Sequence, residues 1–323
     1  MKLTTLLWLI PSVACVAATE EQLNKTFAVQ PGGKLVVNVD FGEITVTTNT
    51  AIEVFVDVWR EVTRKSKAAE EAFLKDCPVT FTQNGNTVTV EARRKTKVHW
   101  NWGFNTRTEG KYTVRVPAKF DVQLNTAGGG ISVADVEGEV NADTSGGGLQ
   151  FKRVRGPIKG DTSGGGIDVA DCEGTIKVDT SGGGITVKGG GGTLVGDTSG
   201  GGVTVKNFAG PARVGTSGGG ITVENVGGTV EGHTSGGPIN ATLPAPVPGT
   251  VKLSTSGGGV TVRVPEKASF LLDAETSGGS VSSELPVTIQ GKLQHGRLKG
   301  TVNGGETVVH LRSSGGGIHV KKL

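Results

Sequence analysis

Aromatic residues are scarce in this sequence. One Tyr, four Trp and ten Phe among 323 residues leave a core to be assembled from small β-branched side chains. Cysteine is scarcer still: setting aside Cys15 near the start, only Cys77 and Cys172 remain, which excludes a small domain stapled by many disulfides. Charge of one sign is also lacking. A formal net charge of +3 argues against a nucleic-acid partner. After Ala18 no stretch approaches the roughly 20 apolar residues of a spanning helix, so no transmembrane helix is expected. What the chain has in excess is glycine, 54 residues of it, although glycine is the costliest residue to order.

The glycines are organised. The phrase Thr-Ser-Gly-Gly-Gly or a close variant begins at Thr126, Thr144, Thr162, Thr180, Thr198, Thr216 and Thr234, and looser copies follow at Thr255, Thr276 and Ser313. The first seven are 18 residues apart. A fixed period of this size is the mark of a solenoid whose repeats bury their apolar faces only against one another.

Aligned copies can be read as columns. Ile131, Leu149, Ile167, Ile185, Val203 and Ile221 form one apolar column, and Val133, Phe151, Val169, Val187, Val205 and Val223 another two residues on. The column between them is polar, which makes one short strand with an inner and an outer face. A second strand carries Val140, Ile158, Ile176, Leu194, Ala212 and Val230. Between the strands every copy has a glycine, Gly138, Gly156, Gly174, Gly192, Gly210 and Gly228, read here as a structural turn position needing positive φ or close backbone approach. The fold class is therefore all-β, a parallel β-solenoid of 18-residue rungs about 4.8 Å apart. Asp135, Arg153 and Asp171 fall in one column, and Glu137, Arg155 and Glu173 in another; both read as structural charge ladders. Cys172 shares an apolar column with Val136, Val154 and Phe208, which places it in the core and argues against a bridge to Cys77.

Asp143, Asp161, Asp179 and Asp197 also share a column, with no cation between them along it. Their repulsion can be relieved by Asx turns to the following backbone N–H groups or by bound Ca²⁺. The ladder is thus a weak Ca²⁺ candidate, although the G-G-x-G-x-D motif of Ca²⁺-binding β-rolls is absent. Gly215-Thr216-Ser217-Gly218-Gly219 satisfies G-x-S-x-G but repeats a turn found in every rung, so it is not read as a nucleophile elbow. His99, His233, His295, His310 and His319 lack metal-ligand spacing; His310 and His319 are the pair a β fold could bring together. No catalytic residue, metal or cofactor is assigned.

Residues 19–125 lack the repeat and read as an N-terminal β-rich cap with one short helix, Lys65–Lys75. The segment "RRKTKVHWNWGFNTR" gathers Trp100 and Trp102 with Arg93, Arg94, Lys95 and Lys97. It is either a hairpin packing over the end of the solenoid or a ligand contact, with rings for sugars or a membrane surface and cations for anionic polymers. The opening run Leu3–Ala18, broken by Pro11 and ending in Val16-Ala17-Ala18, reads as a signal peptide over residues 1–18. Ser12-Val13-Ala14-Cys15 is a poorer match to a lipoprotein box, leaving Cys15 as the secondary, lipid-anchored alternative. Regular rungs are expected over 126–250 and irregular ones over 251–323.

The phrases "FAVQPGGKLVVNVDFGEITV", "YTVRVPAKFDVQLNTAGGGISV", "VKLSTSGGGVTVRVPEKASFLLDAETSGGSV" and "GTVNGGETVVHLRSSGGGIHVKK", in this order, resemble the bacterial adhesin-type family of β-strand-repeat domain proteins. The resemblance covers nearly all of the chain after its leader. It implies a stacked-strand, β-helix-like fold at the cell envelope and supplies no catalytic or binding residues. The expectation is an exported, non-enzymatic adhesin-like or scaffold protein of the periplasm, cell surface or medium, with envelope or host glycans or surface proteins as partners. A glycan-binding or envelope-sensing module using Trp100 and Trp102 is the alternative, and a polysaccharide-acting β-helix enzyme a remote one. Replacing Gly174 by Val is expected to lower thermal stability, because a β-branched residue resists positive φ; an unchanged melting temperature would remove that turn assignment.

Overall fold

A computed structural model describes residues 18–95, 106–289 and 295–323. Its strands form two sheets of 14 strands each. Each regular rung gives one strand to each sheet, and rungs pair in parallel and in register: Ile131 lies beside Leu149, Leu149 beside Ile167 and Ile167 beside Ile185. In the other sheet Val140 lies beside Ile158 and Ile158 beside Ile176. The apolar columns face inward and are buried throughout. The sheet of the first strand, whose outer column includes Thr186, Thr204 and Thr222, is called here the threonine sheet. The other, bearing the Asp column, is the aspartate sheet.

The Thr-Ser-Gly-Gly-Gly corner explains the glycines. The first Thr of each phrase points inward and its hydroxyl donates to a carbonyl of the adjacent rung. Thr162 Oγ1 reaches Gly147 O at 2.8 Å, Thr180 reaches Gly165 O at 2.8 Å and Thr198 reaches Gly183 O at 2.7 Å. The carbonyl that accepts this bond also lies directly under the second glycine of the next phrase. A Cβ on Gly165 would stand 2.1 Å from Gly147 O, and one on Gly183 2.1 Å from Gly165 O. The corner is bare because the strand ladder sets the pitch and no side chain fits within it.

The turn glycines between the strands obey the same limit. Gly156, Gly174 and Gly192 have φ of +143°, +128° and +113°, whereas Gly138 and Gly228 are not in that region. What they share is crowding: a Cβ on Gly138 would meet Phe120 O at 2.4 Å and one on Gly174 would meet Gly156 O at 2.5 Å. At the nearby corner Asp135, Arg153, Asp171, Asn207 and Asn225 all have φ between 50° and 65°, a conformation that Asp and Asn tolerate best. Arg153 is the exception in type, and it donates two hydrogen bonds to the Asp135 carboxylate at 2.6 and 2.8 Å. In the second expected ladder Arg155 lies 3.7 Å from Glu137 and 3.9 Å from Glu173. Cys77 and Cys172 are both buried and free, and burial raises both thiol pKa values.

Both ends of the stack depart from sequence order. The rung containing Gly33–Val39 and Glu43–Asn49 lies between the later rung Thr87–Ala92 with Arg107–Pro117 and the rung Phe120–Thr126 with Ile131–Ala134. The stack therefore runs into the region expected to be cap. At the far end, Val308–Ser313 and Ile318–Lys322 insert between the Val251–Val264 rung and the strands Phe270–Thr276 and Val281–Ser283. The hydroxyl ladder follows this spatial order, Ser313 donating to Gly258 O and Thr276 to Gly316 O.

Antiparallel strands close three of the four sheet edges, Thr19–Ala28 on Glu53–Thr63, Thr80–Asn84 on Thr87–Ala92, and Arg297–Val302 on Phe270–Thr276, and the short parallel strand Val281–Ser283 forms the fourth. The helix, Lys67–Asp76, is shorter at its start than expected because Ser66 caps it. Beneath the first strand, fully buried Arg60 donates through Nε to Glu21 Oε2 at 2.8 Å and through Nη1 to Cys77 O at 2.6 Å. Glu21 thus neutralises a guanidinium that would be costly to bury alone.

Adding a methyl group at Gly165 is expected to cost about 2 kcal/mol or more, measured by urea denaturation. Gly196→Ala is the control: its nearest contacts are at 3.6 Å, and the change should be neutral or stabilise by about 0.5 kcal/mol. Equal effects would mean the corner is less constrained than its geometry indicates.

Candidate functional site

Outward positions of the aspartate sheet bring the four predicted carboxylates together. Asp143, Asp161, Asp179 and Asp197 stand side by side on successive strands and line a groove of about 610 Å³ with the serines of the corner. Asn125, hydrogen bonded to Asn38 at 2.7 Å, continues the column at one end. At the other end Gly215 leaves room for the Asp197 carboxylate, since a Cβ there would meet Asp197 Oδ1 at 2.3 Å.

Among the described residues the Asp carboxylates do not make the expected Asx turns. The Asx turn is replaced by the neighbouring threonine: Gly165 N donates to Thr162 Oγ1 at 3.4 Å and Gly183 N to Thr180 Oγ1 at 3.3 Å. The reason is strand alternation, which turns each Thr toward the corner and each Asp away from it. No group of three or more His, Cys, Asp or Glu among the described residues is arranged to hold a metal ion. Relief comes laterally from Lys159 and Lys177, two residues earlier on the same strands and on the same face; Lys159 Nζ lies 3.3 Å from Asp161 Oδ2. The balance is incomplete at Asp179, whose pKa is raised by burial and then by Asp161.

The other sequence candidates separate. His310, in the aspartate sheet, lies 3.2 Å from Asp273, while His319 in the threonine sheet is 2.8 Å from Ser282 Oγ. They occupy different sheets and do not form a pair. Ser217 sits in the groove wall, and His233, in the Asp column, bonds to Ser254 Oγ at 2.9 Å. Trp100 and Trp102 lie outside the described residues. Arg93 is exposed. Arg94 donates its backbone N–H to Asp40 at 2.7 Å and places its guanidinium 4.8 Å from the Phe73 ring centre, with Arg64 at 4.3 Å from the same ring. Burial, followed by the charge of Arg94, lowers the pKa of Arg64.

One aromatic group was not singled out from sequence. In "EVFVDVWREV" the valines point inward, so Phe55 and Trp59 face outward on the threonine sheet. Arg115 lies 4.7 Å from the Phe55 ring and Lys111 5.6 Å from the Trp59 ring. The signal was valine at every second position from Val54 to Val62, broken only by Arg60, which marks the valine face as the buried one.

Asp179→Asn is expected to raise the melting temperature near neutral pH. A carboxyl whose folded pKa is raised binds its proton more tightly in the folded state, so its ionisation opposes folding as pH climbs above the usual carboxylate range near 3.8. The gain should shrink as pH falls through that range; a gain independent of pH would point to another cause.

No curated protein matches the chain. Three solved structures described as "putative adhesin" are similar to it. The protein from Parabacteroides merdae is 12% identical with a TM-score of 0.39, covering 93% of this chain and 96% of its own. That from Parabacteroides distasonis is 12% identical with a TM-score of 0.38, covering 93% and 97%. That from Bacteroides fragilis is 11% identical with a TM-score of 0.35, covering 94% and 97%. The Toastrack DUF4097 family profile matches residues 33–321, which takes in both sheets and both interleaved ends, and the chain belongs to the Toastrack DUF4097 family.

Proposed function

We propose that the protein is exported and serves as a non-enzymatic, adhesin-like scaffold at the cell envelope or surface. The observation that carries this reading is the pair of long sheets whose inner columns are filled by packed side chains while their outer columns are polar over rung after rung. Such a body offers extended rigid faces for contact. Among the described residues many of its outward charges are engaged with one another, as in Arg213 and Lys252 on Glu231. The apolar run ending at Ala18 supports export, and no helix among the described residues is long and apolar enough to cross a membrane.

Glycan recognition is the second reading, favoured by the outward placement of Phe55 and Trp59 between polar neighbours. Cell fractionation with protease treatment of intact cells tests the first reading: recovery of the protein from the cytosol alone would overturn it. A panel of purified envelope and host glycans tests the second, comparing wild type with Trp59→Ala and with the Trp100→Ala/Trp102→Ala double variant. Saturable binding lost in either variant locates the recognition surface. A folded wild type that binds no glycan would leave the scaffold reading alone.

A further inference from the structure

The strand that follows the leader joins the fold among cations. Thr19 pairs with Val62 and its hydroxyl donates to Glu70 at 2.5 Å. Glu70 also accepts the Arg64 backbone N–H at 3.0 Å, so the point of entry lies against Arg64 and the start of the helix. Arg64 and Arg94 then share the Phe73 ring, and the Lys95 N–H donates to the Asp76 carbonyl at 2.9 Å. These contacts gather Arg64, Lys65, Lys67, Arg93, Arg94 and Lys95 around one end of the stack, and Lys65, Lys67, Arg93 and Lys95 are exposed. The nearby acids are partly engaged inside the fold: Glu70 is buried and bonded to Thr19 and Arg64, and Asp40 holds the Arg94 N–H. The exposed acids here are Glu71 on the helix and Glu20 beside Thr19, the latter paired across the strands with half-buried Glu61.

We infer that this end is a docking face for an anionic lipid bilayer. Its charge complements acidic headgroups, which attract basic residues near the surface. The apolar run Leu3–Ala18 ends one residue before Thr19, so the same end is the one a membrane-held leader or a lipid on Cys15 would bring to the bilayer. The far end is also basic, with exposed Lys267, Arg297, Lys299 and Lys321, but no apolar run adjoins it. Docked in this way, the solenoid stands with its helix end toward the membrane and its interleaved C-terminal rungs away from it. The biological setting rests on the exported reading; bilayer binding by purified protein stands or falls apart from localisation.

The test is co-sedimentation of the full chain with vesicles of phosphatidylcholine alone and of phosphatidylcholine mixed with phosphatidylglycerol. The difference between the two subtracts binding through the apolar run. Wild type should prefer the phosphatidylglycerol vesicles, and salt should weaken the preference. Lys65→Glu, Lys67→Glu, Arg93→Glu and Lys95→Glu together should reduce the preference at least about tenfold with an unchanged melting temperature. The matched far-end variant, Lys267→Glu, Arg297→Glu, Lys299→Glu and Lys321→Glu, should keep it. If reversal unfolds the cap, Gln at the same four positions gives the same reading with a smaller loss. Equal loss in both variants, loss only at the far end, no preference for phosphatidylglycerol, or capture by a soluble polyuronate without vesicle binding would each overturn the inference.

Discussion

The structure depends on one hydrogen bond made over and over, from a buried Thr or Ser hydroxyl to a glycine carbonyl of the adjacent rung. Thr126 makes it to Gly42 O at 3.0 Å, and Thr216, Thr234 and Thr255 make it at 2.7, 2.7 and 2.8 Å. Each is worth about 1 kcal/mol net, but its larger effect is geometric. The accepting carbonyl has to lie under the next glycine, and that contact closes the corner to any Cβ. Threonine and glycine are thus two sides of one constraint, and the corner sequence can vary little while the strands between corners vary freely in their outward residues.

That freedom shows on the outer faces. The same column position holds Asp in four successive rungs, then Gly215, His233 and Ser254, without any change in backbone pairing. A solenoid built this way separates its structural residues, which point inward or occupy corners, from its displayed ones. Chemistry on such a surface is set by neighbours two residues away on a strand or one rung away in the stack.

Much of this was legible in the sequence. The period, inward columns, turn glycines and buried Cys172 follow from 18-residue spacing and strand alternation. The fate of the Asp ladder was not, because the expectation looked along the column and the counter-ions, Lys159 and Lys177, stand beside it. The corner column of Asp135, Arg153, Asp171, Asn207 and Asn225 was read as charge, while its shared property is a left-handed backbone that Asn also suits. The order of the terminal rungs was not legible, since residues 19–125 carry no corner phrase, the copies at Thr255, Thr276 and Ser313 carry nearly the same one, and the pairing order depends on hydrogen bonds between segments far apart in the chain. Trp59 and Phe55 were recoverable once valine was taken as the buried face. The Trp100 and Trp102 segment lies outside the described residues.

The interleaved C-terminal rung also bears on how the stack would respond to force. In a simple solenoid the last rung has a neighbour on one side, and a pull on its end breaks its hydrogen bonds one at a time. Here Val308–Ser313 and Ile318–Lys322 have partners on both sides in both sheets. A load applied at Leu323 is shared between two interfaces, and withdrawal of Ile318–Lys322 has to shear past Val281–Ser283 as well as Val260–Val264. The molecule thus resists being unravelled from the end at which an ordinary stack of rungs is weakest.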